Sequence, residues 1–580
     1  MKRKIIALIL LLSLALTGCK KPDGGNTPDG GKPGDNLNPG ENITTDDSSY
    51  GEDLEDLGAM DGYFEEERKD ISVRCVEGTP GAYKLEGNVL KFTSLSSDSV
   101  YAVSGKLSGS IVIDIGDEYK LELELTGLSL VSNNTSPITV LSGNKVTIQA
   151  KKATENFIYD TRPTVSEDDT DAHSGAIFSS VDLEISGKGK LYLVSENNSG
   201  IHSKKDLEVK NLTLVACSAD TTLKGNDSLA LENVTATVIS TMGDCFKTSN
   251  SDISNKGNQR GSVTISGGGY EIYSACDGID AAYNVEIADG TDVKIYTDKY
   301  SNYSKEGTSA GGFNDGNGDK GDRSTKGIKA ANEIIINGGS ISIKAYDDAI
   351  HSSNDATLEN GESPKGDLTI NGGNLTIYSN DNGLYADGTL TMNGGCVSVI
   401  NSYEGAEGYT VTLLGGKLSV ISKDDGINAA ATSGTSITIG GGDLYVFAGG
   451  DGIDSNSRTS YRGIAFTGGR SIIISTSGGN SATDSEQGYS YSGGSHVAIM
   501  PRGGMSSEST HCQNFQSIGK KTELSLTKGQ CLSIKIGSDK LTLNMPCSLS
   551  ALVITLGDSG ASVTTSASNG SLGEGEYIWN

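Results

Sequence analysis

Acidic side chains stand at fixed offsets from a repeated apolar residue between Asp244 and Asp454 of this 580-residue sequence. When Phe246, Ile279, Ile328, Ile350, Leu384, Ala406, Ile427 and Ile453 are aligned, one stripe lies two residues before them: Asp244, Asp277, Lys326, Asp348, Asn382, Glu404, Asp425 and Asp451. A second stripe lies one residue after: Lys247, Asp280, Lys329, His351, Tyr385, Glu407, Asn428 and Asp454. If the apolar residues point inward on strands, this second stripe points outward. Carboxylates stacked about 4.8 Å apart on neighbouring strands repel by roughly 3.5 kcal/mol at an effective dielectric near 20, and by roughly 0.9 kcal/mol in bulk water. A hard cation relieves that repulsion. Ca²⁺ takes about six to eight oxygens from carboxylates, carbonyls and water, whereas Zn²⁺ favours His and Cys. The expected calcium ligands are therefore Asp277, Asp280, Asp347, Asp348, Glu404, Glu407, Asp424, Asp425, Asp451 and Asp454. The competing reading is that these residues cap turns by accepting nearby backbone N–H groups. A second calcium candidate is the run Asp315-Gly-Asn-Gly-Asp-Lys-Gly-Asp322, with oxygens at alternate positions. It departs from an EF-hand because Lys320 and Lys326 stand where Gly and Glu are needed.

Two further sets could act on sugars. Tyr273, Tyr296 and Tyr378 each follow an inward isoleucine and so face outward, where their rings offer stacking surfaces; tyrosine is also simply favoured in strands. Trp579 is the sole tryptophan. Lys329, His351, Tyr385 and Glu407 supply the residue types of a lyase, in which Ca²⁺ neutralises a uronate carboxylate and a base of lowered pKa removes the adjacent proton. The plainer reading, an exposed ladder of alternating charge, is preferred.

The elements that carry these residues are short β-strands. Leu368-Thr-Ile-Asn-Gly-Gly-Asn-Leu-Thr-Ile377 reads as strand, turn, strand, and the unit returns at Ile334 to Ile343, Leu390 to Val399, Val411 to Val420 and Ile437 to Val446. An isolated Asn-Gly would suggest a hairpin, but the repetition outweighs it. A pair of small then large residues, as in Gly278-Ile279 or Ala349-Ile350, recurs mostly every 21 to 26 residues, with longer intervals marking insertions. About 22 residues accommodate three strands and three turns, one coil of a parallel β-helix. The predicted architecture is all-β: a parallel β-helix over 62–504, with one end capped by Val73 to Thr147, and a small β module over 505–580.

Composition agrees with an extended repetitive body, with 78 Gly, 10 Pro and 6% aromatics. A formal net charge of −28 repels phosphate backbones and excludes nucleic acid as a partner. The eight cysteines after Cys19 are irregularly spaced without CxxC and read as small hydrophobes. At the N-terminus, Met-Lys-Arg-Lys precedes an apolar run from Ile5 to Leu16, and Leu16-Thr17-Gly18-Cys19 resembles a bacterial lipobox. Residues 1–18 are thus expected to be a lipoprotein signal peptide and Cys19 the acylated membrane anchor, with 19–61 a Gly/Pro/Asp-rich flexible tether. The expected location is extracytoplasmic, at the cell surface.

The motifs Ser324-Thr-Lys-Gly-Ile-Lys-Ala330, Asp347-Asp-Ala-Ile-His-Ser352, Ser402-Tyr-Glu-Gly-Ala-Glu-Gly408, Asp424-Asp-Gly-Ile-Asn-Ala-Ala430 and Gly450-Asp-Gly-Ile-Asp-Ser-Asn456 resemble the coil signatures of the bacterial carbohydrate-binding β-helix family related in fold to pectate lyases. The likeness runs from about Val100 to Met505. It implies a right-handed helix, calcium sites and polysaccharide binding. Asn382-Gly-Leu-Tyr385 departs from the Asp-Gly-Ile-His expected there, which puts a site in that coil in doubt. The function expected is a monomeric, non-enzymatic surface lipoprotein that binds a cellulose-like or uronate-rich polysaccharide through Ca²⁺. The alternatives are a calcium-dependent lyase of acidic glycans and a structural adhesin.

Overall fold

The computed structural model describes residues 69–165, 173–298, 324–458, 462–503, 512, 514–567 and 572–580. The lipobox with Cys19, the tether and the 315–322 calcium candidate lie outside the described residues. The chain is an all-β protein of many strands, and among the described residues its helix content is the four-residue Phe515–Ile518. No helix there is long and apolar enough to cross a membrane.

Strands follow one another in a repeating order of three, and each pairs in parallel with the equivalent strand of the next three-strand tier. In the first ladder Ile177 pairs with Ile201, Ile201 with Leu223, Leu223 with Phe246 and Phe246 with Ile279. The register continues through Ile328, Ile350, Leu384, Ala406, Ile427 and Ile453. It extends beyond the sequence landmarks through Ile138 and Ile111 to Leu90 on one side and to Thr483 on the other. Glu333–Ile336 and Asp367–Ile370 exemplify the second ladder, Ser340–Lys344 and Asn374–Tyr378 the third.

The Asn-Gly-Gly turns do not make hairpins. Asp367–Ile370 and Asn374–Tyr378 flank such a turn, yet each bonds to the tiers above and below rather than to the other. The turns themselves stack. Asn371 Nδ2 donates to Asn337 Oδ1 (2.9 Å) and Asn393 Nδ2 to Asn371 Oδ1 (2.8 Å). Gly373 adopts φ +94°, and a Cβ there would lie 2.9 Å from the Gly338 carbonyl carbon. Only glycine meets both demands.

The small-then-large pair has a similar steric cause. A Cβ on Gly278 would sit 2.5 Å from Ile295 Cγ2 and 2.6 Å from the Gly327 carbonyl oxygen, because this residue turns the corner into the first ladder against the tier below. The large partner then points inward: Ile279, Ile328, Ile350, Leu384, Ile427 and Ile453 are fully buried in one continuous core. Burying such a side chain contributes about 1.5–3 kcal/mol. Mutual support between tiers therefore fixes where the outward neighbours of these residues stand.

Both ends of the stack are covered, as open strand edges require. Lys69–Glu77 lies antiparallel on Ser99–Ser108 at the start. At the other end Leu549–Leu556 pairs antiparallel with Ser495–Pro501, and Gly519–Leu526 adds to it. A four-stranded sheet of Cys531–Ile536, Asp539–Asn544, Ser562–Ser566 and Tyr577–Trp579 then folds back along the flank. Leu532, Ile534, Leu541 and Leu543 pack there with Tyr445, Phe447, Ile472 and Ile474 on the outer face of the third ladder. Periodicity alone gave no sign of this return. Two insertions also meet: the Glu359 N–H donates to Ser251 Oγ (2.8 Å) and Asn360 Nδ2 to Gln259 Oε1 (2.9 Å). Among the described residues no disulfide joins any of the eight cysteines.

Candidate functional site

The parallel register of the first ladder makes one unbroken outward stripe of Lys247, Asp280, Lys329, His351, Tyr385, Glu407, Asn428, Asp454 and Asp484. Beside it runs the stripe two residues before the inward apolar position. Its carboxylates do cap the backbone, but between tiers. The Asp277 N–H donates to Asp244 Oδ1 (2.9 Å), the Lys326 N–H to Asp277 Oδ1 (2.7 Å) and the Asn382 N–H to Asp348 Oδ1 (3.1 Å). The Asp451 N–H donates to Asp425 Oδ1 (2.7 Å) and the Ser481 N–H to Asp451 Oδ1 (2.5 Å). One carboxylate oxygen is thus structural, and what the other meets differs along the stack.

From Asp244 to His351 the second oxygens meet cations. Lys247 Nζ lies 2.7 Å from Asp244 Oδ2 and 2.9 Å from Asp280 Oδ2. Lys329 Nζ lies 3.7 Å from Asp277 Oδ2 and 3.5 Å from Asp280 Oδ1. Lys326 Nζ lies 2.5 Å from Asp347 Oδ2 and 3.3 Å from Asp348 Oδ2. His351 Nδ1 lies 2.8 Å from Asp348 Oδ2, and its ring sits 4.3 Å from that of Tyr385. Burial opposes the charge on Lys329, but Asp277 and Asp280 outweigh it and raise its pKa. His351 is likewise raised to about 9: burial works against its proton, and Asp348 and Asp387 hold it. Burial lifts Asp277 to about 7, with the charges of Asp244 and Asp280 adding to the rise. Asp280 is also buried, yet Lys247 and Lys329 bring it below the ordinary carboxylate value.

From Glu404 to Asp484 the described residues supply no such partner. Among the described residues no lysine, arginine or histidine forms an ion pair with Glu404, Glu407, Asp425, Asp451, Asp454 or Asp484. Amides take their place: Asn428 Nδ2 donates to Glu404 Oε2 (3.4 Å) and Asn480 Nδ2 to Asp451 Oδ2 (3.3 Å). Burial, then neighbouring carboxylates, drives Glu404 up to about 9, Asp454 to about 7 and, against an opposing backbone N–H, Asp451 to about 8. Burial likewise lifts Asp425 to about 6 against the Asp451 N–H, with Asp424 and Asp484 adding to the rise. Burial raises Glu407 as well. Asp424, one residue before Asp425, takes the Tyr403 hydroxyl.

Asn382 joins the two parts, accepting the role of neutral spacer: its N–H caps Asp348 and its Nδ2 donates to Glu407 Oε2 (2.6 Å). Two buried acidic triads could bind metal ions, Asp244–Asp277–Asp280 and Asp347–Asp348–Asp381, with ligand atoms all within 4.8 Å of one another. The sequence ligand set contains Asp277, Asp280, Asp347 and Asp348 but omits Asp244, Asp381 and Asp484. Asp381 occupies the same place as Asp347 and Asp424, three before the inward residue, and that alignment identifies it. Asp484 follows Thr483, whose polarity hides the tier from a search for apolar landmarks.

Tyr273 and Tyr296 stack on each other in the third ladder, with ring centroids 5.2 Å apart and planes 10° apart. Lys344 follows in register and stands 5.5 Å over the ring of Tyr378. The stripe is continuous, but much of its ring surface faces its own neighbours.

Comparison with known proteins adds the following. A carbohydrate-binding domain-containing protein of Acetivibrio thermocellus is 31% identical over 126 residues, 21% of this chain and 44% of that protein's own length. The solved polysaccharide lyase-like protein from C. thermocellum, a gadolinium derivative, is 25% identical, covers 38% of this chain and 86% of its own, and superposes with a TM-score of 0.35. A family profile matches residues 91–365 and again 364–561, which takes in the tiers, the acidic stripes and part of the C-terminal module. By that match the chain belongs to the carbohydrate-binding domain-containing protein family.

Proposed function

We propose that the chain is a surface-anchored lipoprotein whose tiers wind as a right-handed parallel β-helix and bind polysaccharide through Ca²⁺ held on the first ladder. One observation carries this reading: the carboxylates of Glu404, Glu407, Asp425, Asp451, Asp454 and Asp484 are stacked and part-buried, and no described cationic side chain pairs with them. The donor set fits calcium, because it consists of carboxylate and amide oxygens with no sulfur or imidazole. Asp425, Asp451 and Asp454 would hold the ion, with Glu404 and Glu407 one to two tiers away. Bound there, Ca²⁺ supplies a positive centre for the carboxylate or hydroxyl groups of a sugar chain. A protein of net charge −28 has little else with which to hold a uronate.

Binding is favoured over cleavage. A lyase needs a neutral base, and Lys329 is held protonated by Asp277 and Asp280, as is His351 by Asp348 and Asp387. The test is retention of the protein on immobilised polygalacturonate and on cellulose, with calcium and with EDTA. Retention on the uronate matrix that EDTA abolishes is expected. Equal retention with EDTA would overturn the calcium reading, and release of unsaturated products would favour the lyase. The anchor is tested by Cys19→Ala, which should move the protein out of the membrane fraction.

A further inference from the structure

The corner between the second and third ladders sets asparagine before glycine for a steric reason. A Cβ on Gly372 would lie 3.0 Å from the Asn337 carbonyl oxygen, and one on Gly394 2.7 Å from that of Asn371. Stacking the corners therefore demands glycine there. The residue before it carries the amide ladder: Asn393 Nδ2 donates to Asn371 Oδ1, Asn371 Nδ2 to Asn337 Oδ1, and Asn337 Nδ2 to Glu286 Oε1 (2.9 Å). Ile336, Ile370, Met392 and Leu413 share one register, so Leu414 stands above Asn393 and offers it no side-chain donor. The ladder is anchored below on a carboxylate and open above.

Asn-Gly is also the dipeptide most easily deamidated, because the glycine has no Cβ to bar the approach of its nitrogen to the asparagine Cγ. Five Asn-Gly steps lie among the described residues, and their surroundings differ. After Asn360 the Gly361 N–H is tied to the Leu358 carbonyl (2.9 Å), and after Asn382 the Gly383 N–H is tied to that of Glu404 (2.9 Å). Gly338 is buried, and a Cβ there would meet Asp289 Oδ1 at 2.6 Å. Gly372 and Gly394 are half-buried and follow exposed asparagines, and among the described residues no acceptor takes either N–H. What separates these two is the ladder. Asn371 is held through both Nδ2 and Oδ1, Asn393 through Nδ2 alone. Ring closure turns Cγ away from the stack and breaks every bond the amide makes.

We propose that this corner is a modification site that deamidates in order from its open end, Asn393 before Asn371 before Asn337. The Gly394 nitrogen loses its proton to solvent base and bonds to Asn393 Cγ; the Cγ–Nδ2 bond breaks, and the amide nitrogen leaves, reprotonated, as ammonia. Water then opens the succinimide to aspartate or isoaspartate, which adds one negative charge. The product has no N–H for Asn371 Oδ1, so Asn371 becomes the new open end. Each step thus prepares the next, and a column of amides turns into a column of carboxylates.

The folded protein, aged in mildly alkaline buffer, should show amide-to-acid conversion by peptide mass spectrometry about fivefold faster at Asn393 than at Asn371, the factor that one net hydrogen bond represents. In the urea-unfolded chain, where the ladder is gone, the two rates should converge. Asn393→Ala should bring Asn371 up to the rate that Asn393 has in the parent. Asn393→Gln, which keeps a donor but closes a slower, larger ring, should leave Asn371 slow. The comparison of folded with unfolded parent decides even where a variant unstacks. Equal rates at the two sites in the folded protein, conversion at neither, or an Asn371 rate indifferent to Asn393→Ala would overturn the proposal.

Discussion

The two parts of the first ladder share one backbone and one register but settle their charge in opposite ways. Between Asp244 and His351, lysines 247, 326 and 329 and a protonated His351 sit among the carboxylates. Between Glu404 and Asp484 the same positions hold acids, Asn428 and, in the last tier, Ser481. The two matches to the family profile meet at residues 364–365, between these parts, while the ladders run unbroken from one part to the other. The difference teaches that the tier is indifferent to what neutralises it. On the proposed reading, a side-chain ammonium carried on the next tier and an external cation would be alternative occupants of one kind of place. The first would make a part self-sufficient; the second would make it responsive.

The largest effect is expected where a built-in cation is removed. Lys326→Met takes the ammonium from Asp347 in a buried setting, while Asp348 keeps His351, and breaking such a pair costs about 3–5 kcal/mol. Denaturant unfolding should register that loss, and added calcium should restore part of it. A variant as stable as the parent, or one blind to calcium, would break the equivalence of the two occupants.

Next in size is calcium removal from the unaltered protein. Binding only to the native state stabilises it by about 2.7 kcal/mol at a hundredfold excess over Kd, so EDTA should lower the melting temperature. Hydrogen exchange should place the loosening in the tiers from Glu404 to Asp484 and spare those from Asp244 to His351. The double replacement Asp425→Asn and Asp451→Asn keeps the oxygens that accept the Asp451 and Ser481 N–H groups while removing two charges. It should melt alike with and without EDTA.

The pH dependence of the calcium-free protein is a smaller and more diagnostic effect. Glu404, Asp451, Asp454 and Asp425 titrate near 9, 8, 7 and 6 in the folded state, against about 4 when unfolded. The folded state therefore binds more protons across this interval, and stability falls as pH rises from about 4 to about 9. Burial works against the charge of Asp387, but His351 brings it down to about 2; its contribution has the opposite sign, present above the ordinary value and lost on acidification. Calcium should flatten the decline. Melting curves across this range, with and without EDTA, decide it, and a calcium-free protein that gains stability towards pH 9 would contradict the assignment.

Much of this was legible in the sequence because the steric rules are local. Gly278-Ile279 and its equivalents announce the first ladder, and the register follows them without a slip from Ile177 to Ile453. The stripes followed once that alignment was made. What the sequence did not reveal has a common physical cause: it depends on which residue of another tier a side chain reaches. Lys326 bonding back to Asp347 needs the 21-residue offset and a particular rotamer. The division between neutralised and open carboxylates therefore appears only in three dimensions. So does the return of the C-terminal sheet onto Phe447 and Ile474, whose outward apolar side chains broke the alternation without naming their cover.

The smallest expected effect concerns the tyrosines, and it asks whether the self-neutralised part has a binding role of its own. Tyr273 and Tyr296 stand on its flank, stacked at 5.2 Å. An aromatic pair of this kind contributes about 0.5–1.5 kcal/mol beyond its buried area. Tyr296→Ala should therefore cost roughly 1 kcal/mol of stability, near the resolution of a denaturant titration. A sugar ring stacks only on a free ring face, and the faces these two rings turn toward each other are occupied. Retention on polygalacturonate should then be unchanged in Tyr296→Ala, and retention on cellulose, if the parent has any, should be unchanged as well. If cellulose retention is lost while the calcium response of the distant tiers is intact, the tyrosine stripe is a second platform. The two parts of the molecule would then differ in the chemistry of the chain they hold, neutral glucan on one and uronate on the other, rather than in whether they bind at all.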